Sequence, residues 1–125
     1  WERWEELVEG GMNSHNHIML GSVDAWFYRG LAGLRCAAPG WTKIEFAPQP
    51  VDGLDWASCR VDTVRGVAAS GWEKDGGTLS LHVEVPLGAT ARVAVAGYRP
   101  SDDAAKGAVD TGLGAGSYKL TFAKE

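Results

Sequence analysis

The chain has 125 residues, 45% of them hydrophobic and 22% charged, with a formal net charge of −4, which is the size and make-up of one folded unit. The acidic balance, with Lys and Arg scattered singly, argues against nucleic acid or an anionic membrane as partner, because both select clustered cations. No stretch approaches the roughly 18 apolar residues of a membrane-spanning helix, and Cys36 and Cys59 are too few for a disulfide framework and read as two buried thiols.

Residues Trp1 to Val8 read as the end of a helix closed by Gly10-Gly11. Two tryptophans, a glutamate and an arginine in the first four positions are costly on a frayed terminus, where residues are usually polar. We therefore expect that the sequence is cut from a longer protein. From Ser22, an N-cap, the apolar residues Val23, Trp26, Phe27, Leu31 and Leu34 recur at helical spacing. Asp24 in the first turn and Arg29 and Arg35 further on match the helix dipole. Gly30 and Gly33 are poor helix formers that permit close approach of another element, and Pro39-Gly40 ends the helix.

From Trp41 the period changes to two. Leu79, Leu81, Val83 and Val85 alternate with Thr78, Ser80, His82 and Glu84, which marks a half-buried strand. The same alternation runs through Ile44 and Phe46, through Ala91, Val93 and Val95, and through Leu120 and Phe122, with further strands around Leu54–Thr63 and Gly66–Lys74. Asp75-Gly76-Gly77 reads as a hairpin turn. Gly97 to Ser117, rich in Gly, Ala and Asp, reads as a long loop. The expected fold is a helical stub over residues 1–40 followed by a mostly β, antiparallel sandwich of jelly-roll type over residues 41–125.

Few residues offer chemistry. In Ser14-His15-Asn16-His17 the H-x-H spacing suits a metal in extended backbone, but no third ligand stands at a recognisable distance, so no metal or cofactor is expected. For His15 the preferred reading is a histidine hydrogen-bonded to a helix terminus. Glu2 stands between Trp1 and Trp4 and beside Arg3. Aromatic flanks desolvate a carboxylate and raise its pKa while the arginine opposes the rise, an environment shared by general acids or bases and by salt-bridge partners. There is no nucleophile triad, glycine-rich phosphate loop or cysteine cluster.

"WERWE", followed by "GGMNSHNHIMLGSVDAWFYRGLAGL", resembles the end of the catalytic domain of bacterial α-L-rhamnosidases of glycoside hydrolase family 78. That family shows W-E-R-W, then M-N-S-x-N-H, then G-x-V-x-x-W-x-Y-R. The stretch from Pro39 to about residue 96 is similar to the family's C-terminal β-sandwich. The resemblance implies an (α/α)6 catalytic barrel, cleavage of terminal α-L-rhamnose with inversion, Glu2 as the general base that activates water, and His17 as a contact of bound rhamnose. Trp1 and Trp4 would shape the pocket. His15 stands where the family usually has an aromatic and inherits no role. The general acid should lie in an acidic motif upstream of W-E-R-W, and no such motif exists in this chain, which is therefore expected to be inactive alone.

Two further readings stay open. In one the chain is a carbohydrate-binding module with Trp56 or Trp72 as a stacking platform, which exposure of both on one sheet face would favour. In the other it is a structural accessory domain. Helices stripped of their barrel leave an apolar patch, for which either the upstream barrel segment or a second copy of the chain is the expected partner.

Overall fold

The structure, a computed structural model, describes residues 21–125. A single α-helical turn, α1 (Val23–Trp26), runs directly into a π-helical turn over Phe27–Leu31, closed by the Ala32 N–H donating to the Phe27 carbonyl at 2.9 Å. Eight strands follow: β1 (Leu34–Cys36), β2 (Lys43–Phe46), β3 (Trp56–Thr63), β4 (Gly66–Asp75), β5 (Thr78–Val85), β6 (Thr90–Val93), β7 (Tyr98–Pro100) and β8 (Gly116–Lys124). A second helix, α2 (Asp103–Asp110), lies between β7 and β8.

The strands make two sheets, of order β1-β2-β6 and β3-β4-β5-β8-β7. The larger sheet is antiparallel throughout. In the smaller, β1 and β2 are antiparallel but β2 and β6 run parallel, because the chain passes through β3, β4 and β5 of the other sheet before returning. Alternation dictates what each sheet buries. Leu34, Ile44, Phe46, Ala91 and Val93 from one, and Ala68, Trp72, Leu79, Leu81, Leu120 and Phe122 from the other, form one core. The partner residues Ser80, His82 and Glu84 face away from it. The Gly76-Gly77 turn between β4 and β5 stands as expected, with Gly76 at φ 58°.

The segment expected as a loop from Gly97 to Ser117 instead contains β7 and α2. Asp102 caps the helix: one carboxylate oxygen accepts the Ala105 N–H at 2.6 Å and the other the Thr121 N–H of β8 at 2.9 Å. The small residues Ala105 and Ala108 turn into the core, so alanine, which looks like loop composition, is here the residue that lets a helix lie close to the sheet.

The helix expected to reach Leu34 ends at Leu31, and Leu34 opens β1. Two causes are visible. Gly33 has φ 77°, and a Cβ there would fall 2.1 Å from the Pro48 nitrogen, so only glycine lets the chain turn against the segment after β2. The second cause is that the helix's terminal carbonyls, which no helix satisfies internally, are taken up by the sandwich. Arg29 accepts from Arg35 Nε at 2.8 Å and Gly30 from the Gln49 N–H at 3.0 Å. Leu31 accepts from Trp72 Nε1 at 2.8 Å, Ala32 from Ser70 Oγ at 2.6 Å and Gly33 from the Ala47 N–H at 2.7 Å.

Candidate functional site

The residues singled out for chemistry, Trp1, Glu2, Trp4 and His17, and with them His15, lie outside the described residues. What the structure places is the segment that follows them. Along Val23 to Tyr28 the side chains of Val23, Trp26, Phe27 and Tyr28 are between 42% and 48% exposed, although the helical period leads one to expect burial. Trp26 and Phe27 meet edge to face, with ring centroids 5.7 Å apart. The Trp26 indole lies over Gly30, where a Cβ would come within 2.7 Å of Nε1, so that glycine does permit a close approach, by a ring of its own helix.

A groove runs beside this helix, lined by Asp24, Tyr28, Arg29, Arg35, Trp41 and Val61 among others. Trp41 holds φ 57°, the only non-glycine residue in the left-handed region among the described residues, and a bulky side chain there is strained. The neighbouring Gly40 carbonyl accepts Arg65 Nε at 2.7 Å, which pins the turn to the loop after β3. Arg35 also reaches the Glu45 carboxylate at 3.3 Å.

The remaining tryptophans separate. Trp56 pairs with Glu73 and Trp72 with Ala57 across the β3–β4 ladder, so the two indoles point to opposite faces. Trp72 is 1% exposed and Trp56 is 63% exposed. Trp72 is therefore a core residue and not a sugar platform, and the paired-tryptophan surface that would have favoured a binding module does not form. Of the thiols expected to be buried, Cys36 is exposed and only Cys59 is half-buried. Burial pushes the Cys59 thiol up to about 11, which leaves it a poor nucleophile near neutrality. His82 is exposed on the outer face of β5, and among the described residues no three of His, Cys, Asp and Glu cluster as metal ligands.

Sequence reasoning missed the receptor for the helix end. Ser70 is 2% exposed, a lone hydroxyl in an otherwise apolar inward row with Ala68 and Trp72. A buried serine and indole on one strand face, each with a proton to donate, are the signal that a carbonyl-rich helix terminus sits opposite.

This point of attachment coincides with a family boundary. Residues 1–31 match the bacterial alpha-L-rhamnosidase 6 hairpin glycosidase domain, and residues 33–110 match the bacterial alpha-L-rhamnosidase C-terminal domain. An alpha-L-rhamnosidase of Formosa agariphila is 35% identical over 88% of this chain, and one of Alteromonas sp. is 34% identical over 73% of it. The chain spans only 12% and 10% of those relatives. The solved structure of the alpha-L-rhamnosidase from Dictyoglumus thermophilum matches 99% of the chain and 16% of its own at 38% identity, with a TM-score of 0.77. The Streptomyces avermitilis alpha-L-rhamnosidase complexed with L-rhamnose matches 88% of the chain and 12% of its own at 27% identity, with a TM-score of 0.70. A two-sheet body joined through helix-end carbonyls to a glycosidase-type segment, matched across more than half its length, makes this chain a member of the bacterial α-L-rhamnosidase family, corresponding to its C-terminal part.

Proposed function

We propose that the chain is the C-terminal portion of an inverting α-L-rhamnosidase acting on terminal α-L-rhamnosides, with the division between catalytic barrel and sandwich at Leu31–Leu34. In this reading Glu2 is the general base, His17 contacts the sugar, and Trp1 and Trp4 wall the pocket. Inversion requires two carboxyl groups set roughly 6.5–9.5 Å apart so that water fits between base and anomeric carbon. Glu2 takes the proton from that water as it attacks, while an acid from the upstream barrel protonates the departing glycosidic oxygen. The partner groups are thus the rhamnose-bearing glycoside and the upstream barrel segment, and the sandwich supports the barrel without taking part in the chemistry. The observation that carries this reading is the meeting of the two family matches at residues 31–33, where the chain passes from helix to strand.

The test is a chimera in which these residues replace the matching C-terminal segment of the Dictyoglumus thermophilum relative, assayed on an aryl α-L-rhamnoside beside its Glu2→Gln variant. We expect turnover in the chimera that releases β-L-rhamnose first, loss of turnover in the variant, and none from the chain by itself. A variant as active as its parent, or hydrolysis by the lone chain that depends on Glu2, overturns the assignment.

A further inference from the structure

The larger sheet has a second side, turned away from the core and from the smaller sheet. A groove of about 890 Å³ crosses it, lined by residues of β3, β4, β5 and β8 and by Tyr28. Register sets its rows. Ser58 of β3 stands opposite Gly71 of β4, Gly71 opposite His82 of β5, and His82 opposite Lys119 of β8. One side-chain period further on, Arg60, Ala69 and Glu84 form the next row. With strands about 4.8 Å apart, a row of four spans about 14 Å. The floor is β4, where Gly71 and Ala69 stand between longer side chains on β3 and β5. Gly71 is neither at a bulge nor in the left-handed region, and the ladders on both sides pass through it unbroken. A methyl group there would meet the Ser58 β-carbon at 3.3 Å, a contact that a small shift of this exposed serine relieves. Glycine inside a regular strand weakens it and is found where something approaches the backbone closely.

We propose that this groove binds a neutral oligosaccharide several units long, with one sugar ring laid on the indole of Trp56. The assignment goes beyond the rhamnosidase reading and does not depend on it, since no bond is cleaved here. Three observations select this occupant. Trp56 lies two residues before Ser58 on the same face of β3 and is 63% exposed, an apolar plate beside a polar groove. Such an indole stacks on the C–H face of a pyranose, while the sugar's hydroxyls need both donors and acceptors. The groove supplies both: among the described residues the side chains of Ser58, His82, Glu84 and Lys119 have no hydrogen-bond or ion-pair partner. Its charges also balance. Lys119 and Glu84 offset each other, and Arg60 is already paired with Asp62 at 3.4 Å, so neither sign is in excess to hold an anion or a cation. The length of the rows calls for a chain of sugars and not a single ring.

The test is a titration of the whole chain, read on its amide and indole NMR signals, with α-L-rhamnohexaose, xylohexaose or cellohexaose, and with hexagalacturonate as the anionic comparison. At millimolar concentration at least one neutral glycan should shift the indole N–H of Trp56 and the amides of Gly71, His82 and Lys119. The indole N–H of Trp72, which is 1% exposed, should stay in place. Trp56→Ala should weaken that binding about tenfold. Ala69→Ile adds a side chain that favours the strand and fills the floor, and should abolish it. Urea midpoints that are unchanged or raised show that the loss is not unfolding, and should Ala69→Ile fail to fold, Trp56→Ala decides alone. No shift with any neutral glycan overturns the proposal, as does binding that both variants retain. Shifts with hexagalacturonate alone reassign the groove to anions, and shifts confined to residues outside β3, β4, β5 and β8 place the sugar elsewhere. Either result overturns it as well.

Discussion

The indole N–H of Trp72, in the middle of β4, donates to the main-chain carbonyl of Leu31 over 2.8 Å. One side chain thereby fills the core and terminates a helix forty-one positions earlier in sequence. Trp72→Phe keeps a ring in place and removes only the donor, stranding a partly buried carbonyl. The expected cost is about 1–3 kcal/mol in urea denaturation, against about 3–5 kcal/mol for Trp72→Ala, which also opens a cavity. Ser70→Ala should cost a similar amount to Trp72→Phe. In both conservative variants the Ala32 amide should exchange faster while those of β5 and β8 keep their protection.

Gly33→Ala tests the turn itself. The residue sits at φ 77° with the Pro48 backbone against its α-carbon. A methyl group there adds the left-handed strain of about 1–3 kcal/mol to a contact with main-chain atoms that cannot swing aside. We expect the variant to lose at least that much stability, or to be recovered only in inclusion bodies. Gly53→Ala, at φ 80° in open space, should show the strain without the clash and serves as the comparison.

Asp102 joins α2 to β8 through the two oxygens of one carboxylate, and the amide hydrogens of Ala105 and Thr121 hold its pKa below the ordinary 3.8. A carboxyl depressed in the folded state stabilises fully above its unfolded value and loses that contribution as pH falls through the folded one. Asp102→Ala should therefore cost about 1 kcal/mol or somewhat more near neutrality. Urea midpoints of variant and parent should converge as the pH is lowered below 3.8. Parallel curves down to strong acid would show that the cap acts without its charge.

Trp56 should be dispensable for folding. At 63% exposure, its replacement by Ala is expected to shift stability by no more than about 0.5 kcal/mol. Its indole should emit at long wavelength and be quenched by acrylamide, unlike that of Trp72. Retention of the chain on a polysaccharide column, lost in Trp56→Ala, would show that a single platform suffices for saccharide binding.

The sandwich was legible because β2, β5, β6 and β8 alternate with period two, and burial on one face enforces that pattern. The helix beginning after Ser22 was legible for a similar reason, at period 3.6. Its end was not. Leu34 continues the helical spacing by coincidence, and what stops the helix, the Pro48 backbone against Gly33 and the donors of β4, is distant in sequence. Local composition misled in the stretch from Gly97 to Ser117, where Ala105 and Ala108 serve close packing and Asp102 serves as a cap. Exposure of Trp26 and Phe27 was equally hidden, since periodicity tells which residues share a face and not whether that face is covered here. Glu2 and His17 rest on motif resemblance alone.

The place of β8 between β5 and β7 has a consequence for biosynthesis. The larger sheet cannot close until residue 124 has left the ribosome, since its most recently made strand is an interior one and α2 is tied to it through Asp102. Ser70 and Trp72 sit on a strand two places away, on an incomplete sheet, until then. Any helical domain made earlier must wait for the end of translation before its last carbonyls find their donors. A nonsense codon even ten residues early should therefore deprive that domain of its fastening, though every residue of the fastening itself had been synthesised.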